Sequence, residues 1–304
     1  MAISWYPGHM HKANKEMAAI IKKIDVVVEV LDARMPHASS NPLLKEMRQD
    51  KPCLRILNKA DLADPIITRQ WLAWFNREPL SIATTSSKDN RIGAKDVVFL
   101  AGKLIRKAAE GKPVPAPAAS GNADLNALRA WKQENKKQHI MIVGIPNVGK
   151  STIMNQILGK KIARTGNEPA VTKGQQRVRL NDNWYLVDTP GVLWPRLEDQ
   201  DAAYRLALSG AIRNTAIEFT DVALFSAQLL LDQFPRQLQQ RYDLPSLPAT
   251  GELLLEQLAH ARGCLRKDGD IDWNKVSELL IHDYRAGRFG PMTLERPPLQ
   301  IDQE

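Results

Sequence analysis

The chain has 304 residues, 43% hydrophobic and 25% charged, a composition that fits one large or two ordinary globular domains and excludes disorder over most of its length. No run approaches the ~18 apolar residues of a membrane-spanning helix, and two cysteines, Cys53 and Cys264, without a CxxC partner exclude a disulfide framework and a zinc knuckle. The net charge of +8 points to an anionic partner, and it is uneven: 30 basic and 17 acidic residues up to Trp194 give +13, while 12 and 17 from Pro195 onward give −5. The opening MAISWYPGHMHKANKEM has neither the apolar centre of a signal peptide nor the acid-poor, Arg-rich pattern of a transit peptide, so a cytoplasmic location is expected.

In chain order, 12–23 reads as a helix, and 25–31 (DVVVEVL) as a strand whose continuous β-branched run belongs in a parallel sheet covered on both faces. A strand at 52–57, a helix at 66–75, a short strand at 79–83 and a helix at 98–109 follow. The segment 111–121 (GKPVPAPAASG) is a Pro/Ala/Gly linker without capacity for a core. Beyond it come a helix at 124–137, a strand at 139–143, a helix at 150–158 and a hairpin-like pair at 176–180 and 184–187. The alternation predicts an α/β fold with a mostly parallel sheet. From about 200 onward amphipathic helices take over, clearest in TGELLLEQLAHARGCL (250–265) and NKVSELLIHDYRAG (274–287). The expected division is an α/β domain over 1–195, with the linker inside it, and a smaller all-α domain over 196–304.

The most specific motif is GIPNVGKS at 144–151, a complete GxxxxGKS placed after a strand and opening a helix. Such a loop turns backbone N–H groups inward around a phosphate, and the helix N-terminus adds partial positive charge. Lys150 then bridges β- and γ-phosphate oxygens, and the Ser151 hydroxyl ligates Mg²⁺. Asp188 of DTPG (188–191), at a strand end, supplies a carboxylate on the other side of the metal, and Thr172 in the polar segment between them can reach metal and γ-phosphate. The base is read by NKAD at 58–61. Guanine offers N1–H and N2–H₂ donors on one edge, and the acceptor-only carboxylate of Asp61 takes both, whereas adenine has no such pair. Asn58 ties this loop to the phosphate loop, the Lys59 stem lies across the base, and Ser86-Ser87-Lys88 brings a backbone N–H to the guanine O6. The GTP-binding set is thus Asn58, Lys59, Asp61, Ser86, Ser87, Lys88, the run Asn147, Val148, Gly149, Lys150, Ser151 and Thr152, with Thr172 and Gly191.

The base loops precede the phosphate loop, the reverse of an ordinary GTPase, and a circular permutation with the old termini joined near 111–121 explains the order. With Trp5-Tyr6-Pro7-Gly8-His9-Met10, Asp32-Ala33-Arg34, NKAD, GIPNVGKS, DTPG and the stretch 210–218 (GAIRNTAIE), the chain resembles the ribosome biogenesis GTPase A family over nearly its whole length. Ser87 stands where Ala is commoner, and the Pro/Ala linker is local to this sequence. The resemblance implies a circularly permuted P-loop GTPase that binds the immature large ribosomal subunit, contacts ribosomal RNA and leaves after hydrolysis. No membrane is implied, nor an oligomer. The acidic balance of the helical part directs attention to local groups, Arg262, Arg266 and Lys267 or Arg285 and Arg288, and to the basic face of the GTPase domain.

Val192 and Leu193 follow Gly191, so no side chain there orients the attacking water as a Gln does in Ras-like enzymes. Three sources stay open: His9, which the resemblance favours and whose neutral imidazole can orient water; Asn147, which resembles the asparagine that holds K⁺ in GTPases of this class; and a group supplied by the ribosome. A metabolic phosphotransferase or ATPase leaves NKAD unexplained. An adaptor with structural GTP differs by negligible turnover, and a small-subunit assembly GTPase of the same permuted order resembles proteins with an N-terminal barrel and a zinc motif, which two lone cysteines do not supply. The base reading is tested by Asp61→Asn. An amide donates to the C2 carbonyl of xanthine, so preference moves from guanine to xanthine nucleotides in a competition assay; retained guanine preference would refute the assignment.

Overall fold

The computed structural model describes residues 15, 17–110, 136–159, 176–188, 199–212 and 218–298. Its six strands are β1 (Val26–Asp32), β2 (Cys53–Asn58), β3 (Ser81–Thr85), β4 (Gln138–Val143), β5 (Gln176–Arg179) and β6 (Trp184–Asp188). They form one sheet in the order β3-β2-β1-β4-β6-β5, parallel throughout except for the antiparallel β5–β6 pair. Between the strands lie α1 (Pro36–Ser39), α2 (Pro42–Arg48), α3 (Pro65–Arg77), α4 (Ala94–Glu110) and α5 (Lys150–Leu158). After the sheet come α6 (Gln200–Ser209), α7 (Phe219–Gln233), α8 (Pro235–Tyr242), α9 (Gly251–Arg262) and α10 (Trp273–Arg285). The expected α/β fold followed by helices is therefore present. The residues of 17–21 are helical, while the linker and most of the expected helix at 124–137 lie outside the described residues.

All seven residues of β1 are buried, as its apolar run requires of a strand between two covered faces. On one face Val26, Val28 and Val30 join Leu54, Ile56, Ile140, Ile142 and Leu186 under α4 and α5, and this cluster continues without a break into Leu206, Val222, Leu254 and Leu280 of the later helices. The other face is split. Val27, Met141 and Val187 pack under Met17, Ile21 and Leu44, while Leu31, Leu57 and Ala83 pack under Ile67, Trp71 and Phe75 of α3. Buried Glu29 lies between these clusters and accepts from Arg55 Nε at 3.1 Å, and Arg55 also donates to Glu78 and Ser81, so the charge that interrupts β1 is paired rather than stranded.

Five of the ten helices among the described residues start on an N-cap side chain that accepts an otherwise orphaned N–H. Asp64 caps α3 through Ile66 N and Ile67 N with Pro65 behind it, and Asp199, Thr250 and Asp272 cap α6, α9 and α10. Two short helices, α1 and α2, are absent from the sequence reading. Four and seven residues are too few to show a period of 3.6. Asn41 caps α2, and α1 is held from afar: Glu295 Oε2 accepts from His37 N at 2.8 Å and its carboxylate also accepts from Ala38 N. The short strand at 79–83 shifts to Ser81–Thr85, after Leu80 takes a left-handed φ of 51°.

The chain returns to the sheet at its far end. Leu294 N donates to Arg34 O at 2.7 Å, Met292 N to Leu62 O at 3.0 Å, and Trp71 Nε1 to Glu295 O at 3.1 Å. Gly287 passes so close to Leu62 that a Cβ there would lie 2.6 Å from Cδ2.

Burial raises the Glu295 carboxyl to about 7, above its ordinary value near 4.5, against the opposing pull of the Ala38 and His37 amides and of Arg205, and with Asp199 adding to the rise. The folded state therefore holds this proton more tightly than the unfolded chain, and stability from this group falls as pH rises from about 4.5 to about 7. Glu295→Gln removes the titration. Melting curves should show wild type losing ground to the variant across that interval, and a wild-type minus variant difference that does not change with pH would contradict the assignment.

Candidate functional site

Three loops meet at the edge formed by the C-terminal ends of the parallel strands, where open α/β sheets place their ligands. One leaves β4. Gly144 has φ 154°, and a Cβ there would lie 2.6 Å from the Val30 carbonyl, so the chain passes β1 only as glycine. Ile145 and Val148 are buried and pin the loop to the core. Asn147 and Gly149 take positive φ, 56° and 100°, and α5 begins at Lys150, with Gly149 as its N-cap. Lys150 is buried, its Nζ 3.3 Å from the Ile145 carbonyl; Ser151 is half-buried and Thr152 exposed.

The second loop leaves β2. Asn58 Nδ2 donates to the Val148 carbonyl at 2.9 Å, and any Cβ on Gly149 would run into that amide. Lys59, left-handed at φ 59°, donates from Nζ to Asp32 Oδ2 at 2.8 Å and to the Asn147 carbonyl at 3.2 Å. With the ammonium held there, the aliphatic stem is the part of Lys59 that can face a base. Asp61 follows in a 3-10 turn (Ala60–Leu62), half-buried, its carboxylate without a hydrogen bond or ion pair among the described residues and attracted by Arg34. The third loop leaves β3. Ser86 N donates to Leu57 O at 3.0 Å and Ser86 O accepts from Ala60 N at 3.1 Å, which joins the two base loops side by side. Ser86 Oγ reaches Gln156 of α5 at 3.3 Å, Ser87 closes a tight turn with Asn90, and Lys88 is exposed.

The electrostatics centre on Asp32 at the end of β1. Burial penalises its charge, yet Arg34 and Lys59 outweigh that penalty and hold the carboxyl well below the usual carboxylate range. Burial also pulls the Lys59 ammonium down, with Asp32 opposing. In the sequence Asp32 and Arg34 carry no role beyond a shared motif, although an Asp closing an apolar strand, with Arg two residues on, is a signal of a buried pair. Asn147 Nδ2 donates to the Gly210 carbonyl at 2.7 Å, which carries the phosphate loop to the end of α6.

Of the remaining expected residues, His9, Thr172 and Gly191 lie outside the described residues, and the backbone of Asp188 ends β6 in register with Ile142, two residues before Gly144. Two expected RNA contacts are otherwise engaged. Arg285 Nε and Nη2 donate to Leu208 O and Ala207 O, both at 2.9 Å, capping α6, and Arg288 Nη1 pairs with buried Asp283 at 2.8 Å. Arg262, Arg266 and Lys267 are exposed. Among the described residues no group of three His, Cys, Asp or Glu could hold a metal, and no helix is long and apolar enough to cross a membrane.

The edge thus sets an acceptor-only carboxylate at one end and an ammonium and a hydroxyl on a helix N-terminus at the other, the chemistry of a guanine base and of phosphates. Residues 139–245 match the family described as 50S ribosome-binding GTPase. The chain is 39% identical over 297 residues to the ribosome biogenesis GTPase A of Bacillus pumilus, covering 98% of this chain and 99% of that one. It is 31% identical to the mitochondrial ribosome-associated GTPase 1 of Xenopus tropicalis, over 96% of this chain and 94% of that one. Among solved structures, GNP-bound YlqF from T. maritima matches with a TM-score of 0.60 at 26% identity, over 94% of this chain and 98% of that one. Motif order, sheet order and near full-length identity agree, and the chain belongs to the ribosome biogenesis GTPase A family, as a circularly permuted GTPase.

Proposed function

We propose that the protein is a cytoplasmic assembly factor that binds the immature large ribosomal subunit through ribosomal RNA, hydrolyses GTP there and is released as GDP forms. The observation that carries this reading is the pair of bonds from Asn58 and Lys59 to the phosphate loop, which bring the Asp61 carboxylate and the start of α5 to one edge. In this reading Asp61 accepts from the guanine N1–H and N2–H₂, the Lys59 stem covers the base, and the Ser86-Ser87-Lys88 turn offers N–H to O6. The N–H groups of Asn147, Val148, Gly149, Lys150, Ser151 and Thr152 surround the phosphates, with Lys150 on β- and γ-oxygens and Gly191 at the γ-phosphate.

The oxygen donors Ser151, Thr172 and Asp188 suit Mg²⁺, and the register that ends β6 beside the phosphate loop brings the Asp188 backbone to the right edge. Mg²⁺ bound there would neutralise charge developing on the phosphates. Asn147, whose amide nitrogen donates to the Gly210 carbonyl, would be the residue that holds a K⁺ in this reading. His9 orients the water that attacks the γ-phosphorus as the bond to the bridging oxygen breaks, giving GDP and phosphate. The division at 195/196 belongs to the same reading, with hydrolysis assigned to 1–195 and partner binding shared with 196–304.

Support for an RNA partner lies at the opposite edge of the sheet, where the parallel strands begin. Exposed Lys22, Lys23, Lys136, Lys137, Arg177 and Arg179 gather there, with Asp25, Asp50 and Asp182 as the nearby acids. The start of β1 meets β4 through Asp25 N to His139 O, and β4 meets the hairpin through Gln138 N to Asn183 O. Arg177 lies 4.2 Å from the Tyr185 ring centroid and 2.9 Å from His139 Nε2, which stacks on the same ring. At a strand spacing of ~4.8 Å the cations span a phosphate backbone while leaving the nucleotide edge clear.

Two measurements test the proposal. GTP turnover in KCl and in NaCl, alone and with purified large or small subunits, should rise with the large subunit only and more in K⁺; a rate indifferent to both subunits removes the ribosome as the activating partner. Replacing Lys22, Lys23 and Lys137 together by Ala should weaken large-subunit binding and flatten its salt dependence by about one unit of log–log slope per lost phosphate contact, with turnover of the isolated protein unchanged. An unaltered slope would place the RNA elsewhere.

A further inference from the structure

The nucleotide reading leaves Asp32 and Arg34 unused, although they are 1% and 2% exposed and sit between the site and the later helices. Asp32 Oδ2 accepts from Lys59 Nζ at 2.8 Å and from Arg34 Nη2 at 2.9 Å, and Oδ1 accepts from Arg34 Nε at 3.0 Å and Arg34 N at 3.1 Å. The guanidinium is thereby clamped flat against the carboxylate in a two-point fork. Its remaining nitrogen, Nη1, donates to the Tyr284 carbonyl at 3.2 Å, and its carbon lies 4.6 Å from the Tyr284 ring centroid.

Tyr284 and Arg285 are the last two residues of α10, and they face the site by two routes. Through Tyr284 the path runs to Arg34, Asp32, Lys59 and the Asn147 carbonyl. Through Arg285 it runs to the Ala207 and Leu208 carbonyls at the end of α6, then to Gly210, whose carbonyl takes the Asn147 amide. Arg285 lies against Gly210, where a Cβ would be 3.3 Å from Cζ. Both routes end on the same phosphate-loop residue. A buried ion pair is a poor source of stability compared with apolar residues of the same shape, but it fixes positions. Here it removes the rotamer freedom of Lys59 and sets its ammonium on the phosphate-loop carbonyl ahead of ligand.

We propose that Asp32 is a positioning residue for the guanine nucleotide, acting through Lys59, and that Arg34 makes this position depend on the seating of the C-terminal end of α10. The proposal rests on the guanine-site reading of Lys59. By linkage, whatever moves α10 changes nucleotide affinity, and nucleotide changes the seating of α10 by the same factor.

The test is a double-mutant cycle on the full chain, read as the dissociation constant for a fluorescent GDP, with melting temperature recorded for each variant. Asp32→Asn keeps the shape but turns an amide toward the Lys59 ammonium, and should weaken GDP binding by about tenfold. Lys59→Met should weaken it at least as much, and Asp32→Asn in the Lys59→Met background should cost no more than about twofold further, because the effect of Asp32 runs through Lys59. Losses that multiply in the double variant, or wild-type affinity in Asp32→Asn, would overturn the proposal. Lys59→Met with wild-type GDP affinity would instead overturn the site reading beneath it. Should Asp32→Asn fail to fold, Arg34→Lys keeps a cation beside Asp32 but gives up the fork and the Tyr284 bond. It should weaken GDP binding in the Lys59 background and not in the Lys59→Met background, and equal losses in both would overturn the proposal.

Discussion

Two hydrogen bonds between main-chain carbonyls and the side chains of adjacent residues define the site: Asn58 Nδ2 to Val148 O and Lys59 Nζ to Asn147 O. They join loops 90 and 88 residues apart in the chain across the β2-β1-β4 edge. Much local geometry follows from them. Gly149 has to be glycine because the Asn58 amide occupies the space of a Cβ, and Lys59 has to leave the strand left-handed to aim its stem back toward β4. Neither bond depends on which loop comes first in the chain. A permuted order therefore keeps the site as long as the strand order and the loop ends are kept, which is why the base loops can precede the phosphate loop here without loss.

The parts of this arrangement that were legible in the sequence are those coded locally. The β-branched run of β1, the glycines of 144–149 and the Asp-Pro start of α3 each announce themselves within a few residues, because periodicity, φ and capping are short-range properties. What could not be read is set by distant partners. Helix α1 is capped by Glu295, 258 residues from His37, and nothing near 36–39 advertises it. Arg285 looks in sequence like a solvated cation in the last turn of a helix, and the carbonyls that consume its donors lie 77 and 78 residues away. Asp32 is an intermediate case: its burial was readable from the strand it ends, its partner Lys59 was not.

Charge is divided unevenly between the surface and the interior. Among the described residues up to Trp194 most Lys and Arg are exposed, including those of the strand-start edge, whereas the −5 of the remainder includes carboxylates spent on internal structure. Asp283 is fully buried between Arg241 and Arg288, and Asp199 and Asp272 are helix caps. Net charge of the helical part thus says little about what its surface attracts, since a capped or paired carboxylate contributes to the sum but projects a weakened field.

The apolar core gives these polar links their leverage. Because the cluster under α4 and α5 runs unbroken into α6, α7, α9 and α10, the helices are seated on the sheet by burial rather than by the few hydrogen bonds alone. A close-packed core transmits displacement because it has little free volume to absorb it. The end of α10 therefore cannot shift without either straining the core or breaking the Arg34 and Arg285 contacts, and both of those contacts lead to Asn147. In the proposed coupling, a partner that grips the helices would act on nucleotide through the one residue where the two routes converge.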